Sequence, residues 1–131
     1  MIGLDTNILV RYLAQDDPVQ SRVATEILES RLTEGNPGFI SLVAMVETVW
    51  VLDRAYDLAE SEIAAALERI LQADTLVVES EQEVFRATMA LKERSGSFAD
   101  ALIGALGAKA GCDRTLTFDK SALRLPGFEL V

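Results

Sequence analysis

Four carboxylates stand apart from the other acids of this chain by the company they keep. Asp5 closes the short apolar segment Met1-Ile2-Gly3-Leu4 and precedes Thr6-Asn7-Ile8-Leu9-Val10. Glu47 interrupts the run from Leu42 to Leu52, which is apolar on nearly every side and so reads as a buried helix with a costly carboxylate inside it. Asp100 is the only acid between Phe98 and Gly111, and Asp119 directly follows Thr115-Leu116-Thr117-Phe118. Gathered together, such groups would repel one another by about 4 kcal/mol per pair at 4 Å and an effective dielectric near 20. A divalent cation removes that penalty. The chain has no histidine and one cysteine, so the donors are hard oxygens, which favour Mg²⁺ or Mn²⁺ over zinc. The same absence excludes Ser-His-Asp triads and imidazole acid–base pairs.

Each acid also has a local alternative. Asp5 is placed to N-cap a first helix, Asp100 to pair with Ser97 in a capping box, and Asp119 to cap a turn at Lys120-Ser121. Glu47 lies mid-helix, where no cap is needed, and its alternative is a buried ion pair with Arg11 or Lys120. The remaining acids read as solvated helix faces, turns or caps. Among these, Glu79, Glu81 and Glu83 crowd a helix N-terminus, where the helix dipole favours them.

The elements that must position these groups alternate. Ile2–Leu4 reads as a strand, followed by a helix through Ile8–Leu13. Asp17 and Pro18 have the types of an N-cap and first helical residue, opening a helix expected to run to about Thr33 before Gly35-Asn36-Pro37-Gly38 breaks it. Phe39-Ile40 is a brief strand, and Ser41 caps the apolar helix to about Arg54. Ser61 is expected to open the next helix, ending near Asp74, and Leu76-Val77-Val78 a third strand. Ser80 and Glu83, then Ser97 and Asp100, have the spacing of capping boxes for two further helices, to about Arg94 and Gly111. Arg114–Thr117 and Phe128–Leu130 complete the strands. Strands separated by helices require crossover connections. The expected fold is therefore α/β, a single domain over 1–131 with a central, mostly parallel sheet of four to five short strands and helices on both faces. Such sheets place their sites beyond the carboxyl ends of the strands.

Composition bounds the partners. The 131 residues carry 12 Lys and Arg against 21 Asp and Glu, a net charge of −9, which excludes a broad basic nucleic-acid surface. The lone Cys112 cannot form an internal disulfide and reads as a small buried hydrophobe. No internal repeat, linker, signal peptide or membrane-length apolar run is visible, so a cytoplasmic protein is expected.

The motifs also resemble a known family. Asp5-Thr6-Asn7-Ile8-Leu9-Val10-Arg11-Tyr12-Leu13 is similar to the opening motif of PIN-domain nucleases, and Ile40-Ser41-Leu42-Val43-Ala44-Met45-Val46-Glu47 to their second acidic motif. Phe98-Ala99-Asp100-Ala101-Leu102-Ile103 resembles the third, and Leu116-Thr117-Phe118-Asp119 the fourth. The likeness covers nearly the whole chain and is closest to VapC-type toxins of toxin–antitoxin pairs. It implies a Mg²⁺- or Mn²⁺-dependent endoribonuclease using one or two ions, whose catalytic and metal-holding acids are Asp5, Glu47, Asp100 and Asp119, and whose products carry a 5′-phosphate and a 3′-hydroxyl. It further implies supporting polar roles for Thr6, Asn7 and Thr117, a VapB-type antitoxin covering the site, and a homodimer. Ser97 departs from relatives that carry a further acid there. Arg11, Lys120 and Arg124 lie near the motifs in sequence and are candidate phosphate contacts, with plain surface charge as the alternative. Trp50 and Tyr56 read as core residues, with a dimer face as the alternative. A phospho-receiver domain would need an Asp where the chain has Val78-Glu79-Ser80, and a haloacid-dehalogenase-type phosphatase an Asp at Asn7. A catalytically silent PIN-like binding or assembly module is the alternative of another class.

Overall fold

Short β segments alternate with capped helices along the whole of Met1–Val131, all of which the computed structural model describes. The chain packs as two units, Met1–Glu81 and Gln82–Val131.

In the first unit, β1 (Ile2–Gly3), β2 (Gly38–Ile40) and β3 (Leu76–Val78) form a parallel ladder in the order β1-β2-β3. Parallel neighbours need long crossovers, and helices supply them. Between β1 and β2 run α1 (Thr6–Ala14), α2 (Pro18–Glu26) and a π turn over Ile27–Arg31; between β2 and β3 run α3 (Leu42–Arg54) and α4 (Glu60–Gln72). Their apolar faces supply the fully buried Leu9, Met45, Leu52, Ile63 and Leu67, with Ile40 from β2. Each such side chain contributes about 1.5–3 kcal/mol by leaving water. At the start of β2, Gly38 is buried among leucines. A Cβ there would lie 2.8 Å from the Leu32 side chain and 2.9 Å from that of Leu4, so a side chain at this position would displace those leucine tips.

The second unit comprises α5 (Glu81–Lys92) from its second residue on and α6 (Phe98–Lys109), followed by a parallel pair, β4 (Thr115–Thr117) and β5 (Phe128–Leu130), joined through a 3₁₀ turn at Lys120–Arg124. Val84, Ala87 and Leu91 of α5 and Phe98, Ala101 and Leu102 of α6 are buried. The bare Gly104 of α6 lets the Phe128 ring approach so closely that a Cβ would meet it at 2.7 Å.

All five strands pair in parallel, as expected for this α/β chain, in one ladder of three and another of two. Several boundaries differ from the sequence reading for identifiable reasons. The helix from Pro18 gives way at Ile27 to the π turn, which ends with the Leu32 N–H on the Ile27 carbonyl at 3.1 Å. Ser61 does not open α4. Glu62 does so by accepting the Ala59 N–H at 3.1 Å, one residue before the first helical position. Ser80 sits at φ +51°, outside the extended region that a Ser N-cap adopts. Glu83 is buried rather than solvated, with Lys109 Nζ of α6 at 3.4 Å. Cys112 is exposed, because α6 ends at Lys109 and the following residues turn outward before β4. No helix is long and apolar enough to cross a membrane.

The Asp17-Pro18 start of α2 forms as read from sequence, with one Asp17 oxygen accepting the N–H groups of Val19 at 3.0 Å and Gln20 at 2.9 Å. Asp17→Ala should therefore lower unfolding stability by about 1 kcal/mol in urea titrations, and Asp17→Asn, which keeps an acceptor, by distinctly less.

Candidate active site

The end of β1 and the middle of α3 meet through side chains. Asp5 adopts an extended backbone (φ −81°, ψ 158°) and N-caps α1, one carboxylate oxygen accepting the Thr6 N–H at 2.8 Å. Thr6, itself buried, donates its hydroxyl to Oε1 of Glu47 on α3. The start of α3 is secured twice. Ser41 Oγ accepts the Ala44 N–H at 3.2 Å, and Glu79, just past β3, accepts the Leu42 N–H at 2.8 Å. Glu79 thus caps α3 and not the helix that follows it in sequence. That role spans 37 residues and has no local sequence signal.

Glu47 is exposed, which corrects the reading of α3 as buried all round. The helix buries only Ala44, Met45, Thr48 and Leu52. Val43, Glu47 and Trp50 form an outer stripe at helical spacing, Val43 being 76% and Trp50 58% exposed, with the Arg54 guanidinium 5.9 Å from the indole centroid. The outer stripe happens to be largely apolar, so composition concealed it. Trp50 is accordingly not a core residue. Glu47 has the Thr6 hydroxyl as its partner, and Arg11 pairs with Asp16 instead.

Asp5, Thr6, Asn7, Arg11 and Glu47 line one cavity of about 370 Å³, completed by Val10, Val51, Ala55 and Tyr56. Arg11 is engaged at its rim. Its Nη1 lies 3.0 Å from Asp16 and 3.0 Å from the Tyr56 hydroxyl, and its Nε donates to Gln20 at 2.7 Å. Tyr56 donates in turn to Asp16 at 2.7 Å. That bond is the main reason the Asp16 carboxyl is held below its ordinary 3.8, with Arg11 adding to it.

In the second unit, Ser97 Oγ caps α6 by accepting the N–H of Asp100 at 3.1 Å. The predicted cap therefore forms, and Asp100 stands in the first turn of the helix. Asp119, two residues past β4, accepts both the hydroxyl of Ser121 at 2.7 Å and its N–H at 2.8 Å, while its own N–H donates to Thr117 Oγ1 at 3.0 Å. The Ser121 hydroxyl, then the Ser121 amide, lower the Asp119 pKa. Lys120 is exposed beside it. Arg124 lines a different cavity of about 560 Å³ with Arg86, Phe85 and Phe128, and donates to the Arg94 carbonyl at 3.4 Å.

Asp5 and Glu47 belong to the first unit, Asp100 and Asp119 to the second. Within either unit, no three Asp, Glu, Cys or His side chains form a group able to hold a metal ion. The donors themselves suit a hard cation. The hydrogen bonds to Asp5, Glu47 and Asp119 all end on one oxygen of each carboxylate, leaving Oδ2, Oε2 and Oδ2 as unspent anionic ligands.

The Asp16–Tyr56 bond has a pH signature. A carboxyl whose folded pKa is depressed stabilises the protein fully above its unfolded value, and that contribution is lost as pH falls through the folded value. Tyr56→Phe should raise the Asp16 pKa towards 3.8 in a carboxyl-carbon NMR titration. The stability difference from wild type should be constant well above 3.8 and shrink as the pH falls below 3.8 through the folded Asp16 value. An unmoved Asp16 titration would contradict this account.

Comparison with known proteins agrees with the motif order. The PIN domain family model matches residues 2–127, across both units. No curated protein and no solved structure matches the chain. With acids placed after β1, on α3, in the first turn of α6 and after β4, and with a family match over nearly its full length, the chain belongs to the PIN domain family, whose members are generally nucleases that use divalent metal ions.

Proposed function

We propose that this PIN domain is a metal-dependent endoribonuclease, the toxin of a VapC-type toxin–antitoxin pair, in which Asp5, Glu47, Asp100 and Asp119 hold one or two Mg²⁺ or Mn²⁺ ions. The observation that carries this reading is the Thr6–Glu47 bond, which fixes a carboxylate from mid-α3 in the same cavity as Asp5. When bound, the metal would supply a water of lowered pKa and neutralise charge on the phosphodiester oxygens. The residues of this chain set up that chemistry. Thr6 orients Glu47, Asn7 adds an amide to the cavity, and Ser41 and Glu79 hold the helix that carries Glu47. Thr117 and Ser121 hold Asp119. Arg11, Lys120 and Arg124 are the proposed phosphate contacts.

The exposed Phe118, next to Asp119, offers a ring on which an unstacked base can rest. The proposed partners are RNA, a VapB-type antitoxin and a second copy of the chain. The apolar Val43 and Trp50, exposed on α3, support a protein-docking surface. The proposed location is the cytoplasm.

Two variants test the metal-holding acids. Asp5→Asn should reduce Mg²⁺- or Mn²⁺-supported RNA cleavage by more than about 100-fold, beyond the cost of losing an outer-shell partner, and leave the circular dichroism spectrum unchanged. Glu47→Gln retains an acceptor for Thr6 and should unfold within a few degrees of wild type, yet be as inactive. Cleavage persisting in EDTA would overturn the metal mechanism. A folded wild-type protein that cleaves no RNA with either metal would favour the silent binding module.

A further inference from the structure

The most elaborately tethered side chain at the first-unit cavity is a cation. Arg11 projects from α1, and its guanidinium is held by groups from three other places: Asp16 in the α1–α2 connection, Gln20 on α2, and Tyr56 just beyond α3. The tethers are mutually braced, because the Tyr56 hydroxyl bonds both Arg11 and Asp16. They engage Nε and Nη1 only. Nη2, with two N–H donors, makes no hydrogen bond. A solvated surface arginine needs no such frame, and freezing a long side chain costs conformational entropy. Held this way, a guanidinium presents a planar fork that suits phosphate oxygens. The same cavity is lined by Asp5 and Glu47. A lone anion would be repelled by those acids, whereas a phosphodiester accompanied by a cation would meet both charges.

We propose that Arg11 binds a phosphate of a single-stranded RNA through its free Nη2 edge, and that Asp16 and Tyr56 are positioning residues that hold the guanidinium for it. This inference rests on the nuclease reading for the identity of the ligand and deepens its assignment of Arg11 as a phosphate contact by adding the Nη2 edge, Asp16 and Tyr56, none of which that reading requires. It accounts for the pairing of Arg11 with Asp16 rather than with Glu47. The pairing fixes the cation without using up either acid of the cavity. Opposing surface charge also matters: residues 1–81 carry five arginines, no lysine, and fifteen acids, so an oriented cation at the cavity is the feature of this unit that draws phosphate in.

The test pairs binding with cleavage. Anisotropy of a labelled single-stranded oligoribonucleotide is measured in Ca²⁺, and steady-state cleavage in Mg²⁺ or Mn²⁺, with thermal unfolding as the check on folding. Arg11→Met should weaken binding and raise KM by about 10- to 100-fold, the range for a lost charged hydrogen bond, with a smaller effect on kcat. Arg11→Lys, which keeps the charge without the fork, should recover part of the loss. Asp16→Ala and Tyr56→Phe should each raise KM about 2- to 10-fold and add nothing further in the Arg11→Met background. If wild type cleaves RNA and Arg11→Met binds and cleaves equally well, the phosphate role is wrong and the nuclease reading stands. If wild type binds RNA through Arg11 but never cleaves it, the nuclease reading falls and the phosphate role stands. Failure to bind and to cleave overturns both. Equal losses from Asp16→Ala with and without Arg11 would show that Asp16 serves the fold alone.

Discussion

The hydrogen bond from Thr6 to Glu47 ties together residues 41 positions apart and gives the first unit its chemical character. Asp5 and Thr6 are adjacent, so the first turn of α1 presents one carboxylate and grips another. The grip works because Asp5, two residues past β1, is extended and caps α1, which turns the Thr6 side chain inward. Everything else in this unit that bears on the acids is a means of holding α1 and α3 in place. The parallel ladder brings the ends of β1 and β2 alongside each other, and Ser41 and Glu79 pin the start of α3. Leu9, Met45 and Leu52 are buried completely behind them.

The net charge of −9 is distributed unevenly. The first unit holds fifteen of the acids against five arginines, while residues 82–131 hold seven Lys and Arg against six Asp and Glu. For a protein acting on a polyanion, such a first unit is self-repelling and repels substrate, although screening confines the long-range part to about 8 Å at physiological salt. Cations and oriented guanidinium groups are the local remedies. The charge balance therefore excludes a basic sheath around nucleic acid, but it leaves room for a grip on a single phosphodiester.

Caps show which parts of the structure were legible. Asp17 with Pro18, Ser41, Ser97 and Asp119 each form the cap expected of them. A cap depends on a side chain reaching a backbone N–H two or three residues on, and that distance is set by chain geometry. At α4, where Ser61 has the residue type of a helix start, propensity misled because the Glu62 carboxylate supplies the capping bond to the Ala59 N–H from inside the helix. Exposure was the least legible property. Glu47 and Trp50 lie on the open side of an apolar helix, Glu83 lies buried against Lys109, and Cys112 is exposed. Each depends on which neighbouring element covers a face, and no window of sequence contains that information.

By itself, the sequence determined the alternation of strands and helices, the parallel sense that crossover helices impose, the four motif acids in family order, and a chemistry restricted to oxygen donors by the lack of histidine. These follow from periodicity, local hydrogen bonding and side-chain type, all of which are written along the chain. Only the tertiary structure decided that Thr6 is the partner of Glu47, that Glu79 serves α3, and that Arg11 is framed by Asp16, Gln20 and Tyr56. Three of these contacts, Thr6–Glu47, Leu42–Glu79 and Arg11–Tyr56, join residues 41, 37 and 45 positions apart, and Asp16 and Gln20 reach Arg11 from beyond the end of α1. They exist because packing the apolar faces of α1, α2 and α3 brings their polar edges together, so the polar network follows from a burial pattern that no single segment specifies.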